Sequence, residues 1–425
     1  MSAQSNPGTP VVRPPESRAE AEALDRLDPL STARERYSLP PGIVYLCGNS
    51  LGAMPFGAAR RAREVVEREW GEDLIRSWNV HDWFGLPERV GARIARLIGA
   101  QPDEVVVADS TSINLYKAVN AALGLQPGRR VIVAETGNFP TNAYVLQGLA
   151  ARQGEAPVVR AVDRAGVPGA IDTDTAVVVL THVHYRDCAA FDLAGITARA
   201  HEAGALVVWD LSHSVGVLPL GLDAARADFA VGCTYKYLGG GPGSPAFIYA
   251  AGRHHPRLEP GLPGWWGHVA PFALREDWDP AAGIRRLLTG TPSIIALSVL
   301  DAALDEFEPV AVEALHAKGR GLVAAFMDLA RRRCVQHGVG VATPDDPARR
   351  GSHVALRHAH GYEIMQALIA RGVIGDFRTP DVMRFGLAPL YVRYVDVWDA
   401  VEHLVAVLDS GEWQDPRYAA RSRVT

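Results

Sequence analysis

The stretch "ALVVWDLSHSVG" (205–216) runs an unbroken apolar segment into an acidic residue, Asp210, with a histidine, His213, three positions later. A short apolar run with no polar alternation reads as a strand buried on both faces, the habit of parallel sheets covered by helices. Similar runs flank it. "EVVVADS" (104–110), "RVIVAET" (130–136) and "AVVVLTHV" (176–183) precede it, and "FAVGCTYK" (229–236) and "AFIYA" (246–250) follow. Most intervals leave room for one crossover helix, so the expected fold is α/β, a mostly parallel sheet sandwiched by helices over residues 56–300. In such sheets ligands bind beyond the carboxyl ends of the strands.

Beyond residue 300 the pattern changes to the helical "SVLDAALDEFEPVAVEALHAKGRGLVAAFMDLARRR", short strands around "HVALRHA" and "VMRFGLA", and the helix "VDVWDAVEHLVAVL". Residues 301–425 are therefore expected to form a smaller α+β domain, which the segment 18–55 joins. Residues 1–17, rich in Pro and Ser and without periodicity, read as a disordered tail.

With 425 residues, 48% of them hydrophobic, the chain can bury a large core. A net charge of −5, with Lys and Arg scattered, argues against nucleic acid and for a small polar ligand. No segment reaches the ~18 apolar residues of a membrane span, and the start has no apolar signal region, so the cytoplasm is the expected compartment. Cys47, Cys188, Cys233 and Cys334 are widely separated, which favours free thiols over a disulfide framework or a zinc knuckle.

Three pieces at strand ends carry the chemistry. "ADSTSINLYKAVNAAL" (108–123) ends a strand in three hydroxyl residues and opens a helix, an arrangement suited to a phosphate and equally to an ordinary helix cap. Asp210 either caps the next turn or keeps a heterocyclic nitrogen protonated. Lys236, in "VGCTYKYLGGGPGSPAF" (231–247), is either a snorkelling surface residue or a buried amine available for a Schiff base. Taken together, a phosphate cradle, a pyridine-nitrogen partner and an amine describe a pyridoxal 5′-phosphate site. "GGGPG" (239–243) lacks the spacing of a dinucleotide fingerprint, and its glycines permit a tight path beside the lysine. His182 and His184 on one strand lack a third ligand in sequence and read as structural, so no metal is expected.

With these segments in view, the chain resembles the kynureninase family. The resemblance is carried by "EALDRLDPL", "YLCGNSLG", "WGEDLIRSWN", "STSINLYKAVNAAL", "NFPTNAYVL", "WDLSHSVG", "YKYLGGGPGSPAF", "GWWGH", "GTPSI" and "PDVMRFGLAPLYVRYVDVWDAVEHL", in that order. It implies a fold-type-I pyridoxal-phosphate enzyme with a seven-stranded sheet, a homodimer with composite active sites. The implied reaction is hydrolysis of L-kynurenine, with its 3-hydroxy derivative as the second candidate substrate, to the aromatic acid and L-alanine in tryptophan catabolism.

By position, the resemblance makes Lys236 the Schiff-base lysine and Tyr235 a phosphate contact and proton donor. Thr111 and Ser112 become phosphate ligands, and Phe139 stacks on the cofactor ring, with Pro140, Thr141 and Asn142 beside it. Asp210 becomes the pyridinium partner and His213 its neighbour, while Trp265 and Thr291 complete the phosphate site from the partner subunit. Arg384 takes the substrate α-carboxylate, for which a planar two-pronged donor is suited. Ser50, Trp266 and His268 border the aryl pocket, although a Gly-flanked Trp and His also suit interface packing.

The chain departs from the family pattern in three places. "VHYRDC" (183–188) stands where "VNYRTG" is usual, Gly239 stands where Asn is common, and Cys47 where an acidic residue is frequent. Rival readings are a hydrolase for a substituted kynurenine and another fold-type-I enzyme such as a cysteine desulfurase, which would need a thiol on a mobile loop. A noncatalytic descendant is the third, and Lys236, Asp210 and Arg384 speak against it.

Overall fold

The computed structural model describes residues 13–151 and 156–421. The tail expected over residues 1–17 lies outside the described residues as far as residue 12. Beyond it, Pro15 is buried and the Ser17 hydroxyl accepts from the Glu20 N–H at 3.2 Å, capping the helix Arg18–Leu27.

The described chain divides into two compact units. One comprises Met54–Tyr185 and Ala189–Glu308, and the other runs to Ala53 and resumes with Arg186–Cys188 and from Pro309 onward. The first is built on a seven-stranded sheet. Its strands are β1 (Val105–Val107), β2 (Val131–Glu135), β3 (Val158–Val162), β4 (Thr175–Thr181), β5 (Leu206–Asp210), β6 (Phe229–Gly232) and β7 (Phe247–Ala250). They lie in the order β1-β7-β6-β5-β4-β2-β3. The pairs from β6 through to β3 are parallel, and β7 runs antiparallel to both its neighbours. Every residue of β4 is buried, as a strand covered on both faces requires.

β3 is the strand that the apolar runs did not announce. It lies at the sheet edge and none of its residues is fully buried, so "VVRAV" never had to be a continuous apolar run. The helices α1 (Leu86–Ile98), α2 (Thr111–Gly124), α3 (Pro140–Ala150) and α4 (Leu193–Glu202) belong to this unit. The inner face of α2, with Leu115, Ala118, Val119 and Ala122, packs into one apolar cluster with Val208 and Val231 of the central strands.

The other unit holds a four-stranded antiparallel sheet, with strands β8 (Gly340–Val341), β9 (His353–Arg357), β10 (Asp376–Arg378) and β11 (Val382–Gly386) in the order β8-β9-β11-β10. The helices α5 (Val312–Cys334), α6 (Gly361–Ala370) and α7 (Tyr394–Ser410) accompany it. The sequence pointed to β9 and β11. The short β8 and β10 flank them at the edges.

Candidate active site

Parallel register brings the carboxyl ends of β4, β5 and β6 side by side, pairing Thr181 with Asp210 and Asp210 with Val231. Asp210 is 5% exposed, and its carboxylate accepts from the Ser212 N–H at 3.0 Å and from the Asn142 amide and the Thr181 hydroxyl, each at 3.3 Å. A buried carboxylate needs such donors, and they fix its orientation. Thr181 Oγ1 also lies 2.8 Å from Asn138 Oδ1, its single proton shared between that oxygen and Asp210, so the loop before α3 is tied to the same end of β4. The sequence reading did not single out Thr181. Its signal was its place as the last residue of an apolar run, one register step from Asp210.

Lys236 lies four residues beyond β6 and is half-buried, with its Nζ 2.8 Å from Nε2 of the buried His213. The turn after it returns at once. The Gly239 N–H donates to the Lys236 carbonyl at 3.0 Å and the Gly240 N–H to the Thr234 carbonyl at 2.9 Å. Gly239 has φ +68°, an angle that Asn also tolerates, so this departure from the family pattern leaves the local backbone accessible to either residue. A Cβ on Gly240 would stand 2.5 Å from Ser244 Oγ. Beside the lysine, Tyr235 is partly buried, and the Cys233 sulfur together with burial raises its phenol above the ordinary value, so the hydroxyl keeps its proton.

At the end of β1 the chain enters α2 through Asp109 and Ser110. The Ser110 hydroxyl faces the Ile113 N–H at 3.5 Å as the cap, which puts Thr111 and Ser112 in the helix's first turn, partly exposed. Free N–H groups and two hydroxyl side chains at a helix start suit an anion. Phe139 precedes α3, with Pro140 in its first turn. Its ring is 49% exposed and meets Tyr185 edge-on at 5.5 Å.

Trp265 is 41% exposed, while Trp266 is 1% exposed within a cluster of Trp78, Phe84 and Phe272. His268 is fixed at both ring nitrogens, accepting from the Ala270 N–H at 2.9 Å and facing the Asp277 carbonyl at 3.3 Å. Thr291 lies exposed in the loop before the helix Ile294–Leu304. Trp266 and His268 are thus held by local packing and backbone contacts, whereas Trp265 and Thr291 present themselves outward.

His182 and His184 each have a local partner. His182 Nδ1 lies 2.9 Å from Ser214 Oγ, and burial lowers the ring pKa to about 4. His184 Nε2 lies 3.0 Å from the Gly137 carbonyl, one residue before Asn138 and two before Phe139.

In the other unit, Arg384 on β11 is 1% exposed. Its Nε donates to Asp376 Oδ1 at 2.7 Å and Nη2 to Asp376 Oδ2 at 2.5 Å, with Ser50 Oγ 3.0 Å from Nη2 and itself donating to Asp376. A two-pronged carboxylate sets the plane of the guanidinium. Asp376 is a partner that the sequence reading missed. Arg384 and Ser50 hold its carboxylate below the usual range against the upward push of burial. Cys188, at φ +68°, accepts from the Gly351 N–H through its carbonyl and from the His353 N–H through its sulfur.

All four cysteines are free and buried, and burial raises the thiols of Cys47 and Cys188 to about 12 and that of Cys334 to about 11. None has the exposed, acidic thiol of a sulfur-transfer nucleophile.

Comparison with solved structures finds the same fold in a cysteine desulfurase from Thermococcus onnurineus (TM-score 0.74, 16% identity, 89% of this chain and 98% of that one). A cysteine desulfurase from Escherichia coli matches at TM-score 0.73 and 18% identity, over 90% of this chain and 98% of that one. At these identities the likeness concerns the fold, a mostly parallel α/β arrangement shared with those enzymes. A model of the kynureninase C-terminal domain matches residues 315–404. Kynureninases of Burkholderia mallei and Burkholderia pseudomallei are 50% identical over 96% of this chain and 100% of their own length. The kynureninase of Pseudomonas fluorescens is 47% identical over the same shares. With half of its residues matched over nearly its whole length, the chain belongs to the kynureninase family.

Proposed function

We propose that the chain is a pyridoxal-phosphate-dependent hydrolase of carbon–carbon bonds in ketonic substrates, acting on L-kynurenine and, as a second substrate, its 3-hydroxy derivative, within tryptophan catabolism. The observation that carries this reading is the meeting of Lys236 with His213, next to a buried and triply bonded Asp210, in a chain with kynureninase relatives of full length. The donor set fits the cofactor. Asp210 suits a pyridinium nitrogen, Lys236 an aldehyde, Thr111 and Ser112 a phosphate, and the exposed ring of Phe139 a stacked heterocycle.

Pyridoxal phosphate supplies, when bound, a ring that withdraws electrons from the substrate's α-carbon. The residues do the rest. Asp210 keeps the ring nitrogen protonated, because its carboxylate is itself locked by Asn142, Thr181 and Ser212. The Lys236 amine removes the α-proton, with His213 within reach to share it. Tyr235, held protonated, donates towards the substrate's γ-carbonyl oxygen rather than acting as a base. Arg384, its plane set by Asp376, receives the α-carboxylate. Water is divided between the products, the hydroxyl going to the aroyl carbon and a hydrogen to the β-carbon, so that the aromatic acid and alanine leave in equal amounts.

The dimer with composite sites belongs to the same reading. The first unit exposes Met54, Phe56, Trp70, Leu74, Ile75 and Val80, and again Trp265, Val269, Phe272 and Leu274, an apolar surface suited to a second copy of the chain. Free buried thiols suit a reducing compartment such as the cytoplasm, and no helix among the described residues is long and apolar enough to cross a membrane.

The test is an assay of the purified protein with added pyridoxal phosphate, offering L-kynurenine or 3-hydroxy-L-kynurenine and quantifying aromatic acid and alanine. Equal release of both products is expected, and Lys236→Ala should abolish it while the fold is retained. A bound-cofactor absorbance band without product from either substrate would overturn the substrate, and absence of the band would overturn the cofactor.

A further inference from the structure

Lys117 is a lysine with no exposed surface on the inner face of α2, the seventh residue of the helix and beside the buried Ala118 and Ala121. Its Nζ donates to Asp109 Oδ2 at 2.5 Å and to the Leu287 carbonyl at 2.7 Å. Burial lowers the pKa of the amine while Asp109 raises it. A buried ammonium is costly where Leu or Met would pack as well, and such groups are best explained by the geometry they enforce.

The geometry enforced here is unusual. Asp109 has φ +49°, in the left-handed region that few residues other than glycine adopt. It is the last residue before the Ser110 cap, so its backbone angle decides how the chain enters α2. Asn114, one turn before Lys117 on the same helix face, donates its amide to the Ala108 carbonyl at 2.9 Å. Two buried side chains of α2 therefore reach back and hold consecutive residues of the turn that starts their own helix. The second acceptor of Lys117, Leu287, starts the segment that runs from the buried Leu287 and Leu288 out to the exposed Thr291, and the Thr289 carbonyl in turn accepts from the Trp266 N–H at 3.1 Å.

We propose that Lys117 is a positioning residue for phosphate recognition. By clamping Asp109 and the Leu287 carbonyl, it sets the start of α2, with Thr111 and Ser112, and holds beside it the segment whose Trp265 and Thr291 reach the phosphate bound by the partner subunit. This inference rests on the pyridoxal-phosphate reading above. It assigns Lys117 no contact with the cofactor and predicts an effect confined to the phosphate.

The experiment titrates apoenzyme with pyridoxal 5′-phosphate and, separately, with pyridoxal, which has the same aldehyde and ring without the phosphate, following the absorbance of the Lys236 adduct. Lys117→Met keeps the side-chain length and removes the charge. It should weaken binding of pyridoxal phosphate by about tenfold, the worth of one charge-assisted hydrogen bond, and leave pyridoxal binding within about twofold. Lys117→Arg should recover part of the difference. Asp109→Asn, at a partly exposed position where the fold is under less threat, should lower the same ratio. An unchanged ratio in the folded variants, or an equal fall for both ligands, overturns the inference and leaves the cofactor reading standing. A wild-type protein that binds neither ligand overturns both.

Discussion

At the scale of the residue, His182 shows how burial near the candidate site becomes pH dependence. Its ring is held neutral in the folded chain, with a pKa of about 4 set first by burial, with Arg164 also lowering it, whereas the Phe191 backbone and Asp192 act in the opposite sense. Unfolded, the same ring takes a proton near pH 6.5. Because the folded value is the lower one, the contribution to stability is complete above about pH 6.5 and is lost as pH falls towards 4. Between pH 7 and 4.5 this amounts to about 2 kcal/mol. Urea unfolding of apoenzyme at those two pH values should therefore show a smaller acid-induced loss for His182→Gln than for the native chain. Equal losses would mean that the histidine is already charged in the fold. The sequence made Asp210, His213 and Lys236 legible because each follows an apolar run closely, and a strand end is a place that a pattern can name. Thr181, Asp376 and Lys117 were not legible. Their importance lies in which neighbour they meet, and the meeting of Thr181 with Asp210 is decided by strand register, while that of Arg384 with Asp376 is decided by pairing across β10 and β11.

Elements impose their own constraints, and two glycines in helices separate propensity from packing. Replacing a mid-helix glycine by alanine ordinarily stabilises by about 0.5–1 kcal/mol, through the entropy of the unfolded chain. Gly148 in α3 has open space where its Cβ would stand, with nothing within 4 Å beyond its chain neighbours and its own helical backbone, so Gly148→Ala should raise the melting temperature slightly. Gly91 in α1 has the opposite setting, since a Cβ there would stand 2.2 Å from the Val105 carbonyl oxygen of β1. The helix would have to lift off the strand, and Gly91→Ala should cost about 1–3 kcal/mol despite the better propensity of alanine. Thermal denaturation of the two variants side by side checks the contrast, and a stabilised Gly91→Ala protein would show that α1 can move freely over β1. Burial likewise decides which strands the sequence announced. Central strands such as β4 and β5 had to be apolar on both faces and stood out, whereas β3 at the edge satisfies its burial with partly exposed residues and carries no comparable signal. The short β8 and β10 have two and three residues, too few for any periodicity to register.

For the whole molecule, the apolar surface of the larger unit sets the expectation. Ile75 is 76% exposed, Leu274 80%, Phe272 67% and Trp70 58%, values that a solvated surface does not sustain over many large side chains close together in sequence. If a second copy covers them, the native species has twice the 45.7 kDa of the chain, and the active site depends on assembly, because Trp265 and Thr291 would serve the partner's phosphate. Ile75→Asp combined with Leu274→Asp places two charges on that surface without touching Lys236, Asp210 or α2. Desolvating a carboxylate in an apolar interface costs several kcal/mol, so the double variant should sediment as a monomer at micromolar concentration. Its affinity for pyridoxal phosphate should fall with assembly and recover at protein concentrations that restore the dimer. A variant that stays dimeric would move the interface elsewhere. A monomer with undiminished affinity would show that each chain completes its own phosphate site, and Trp265 and Thr291 would then lose the role proposed for them.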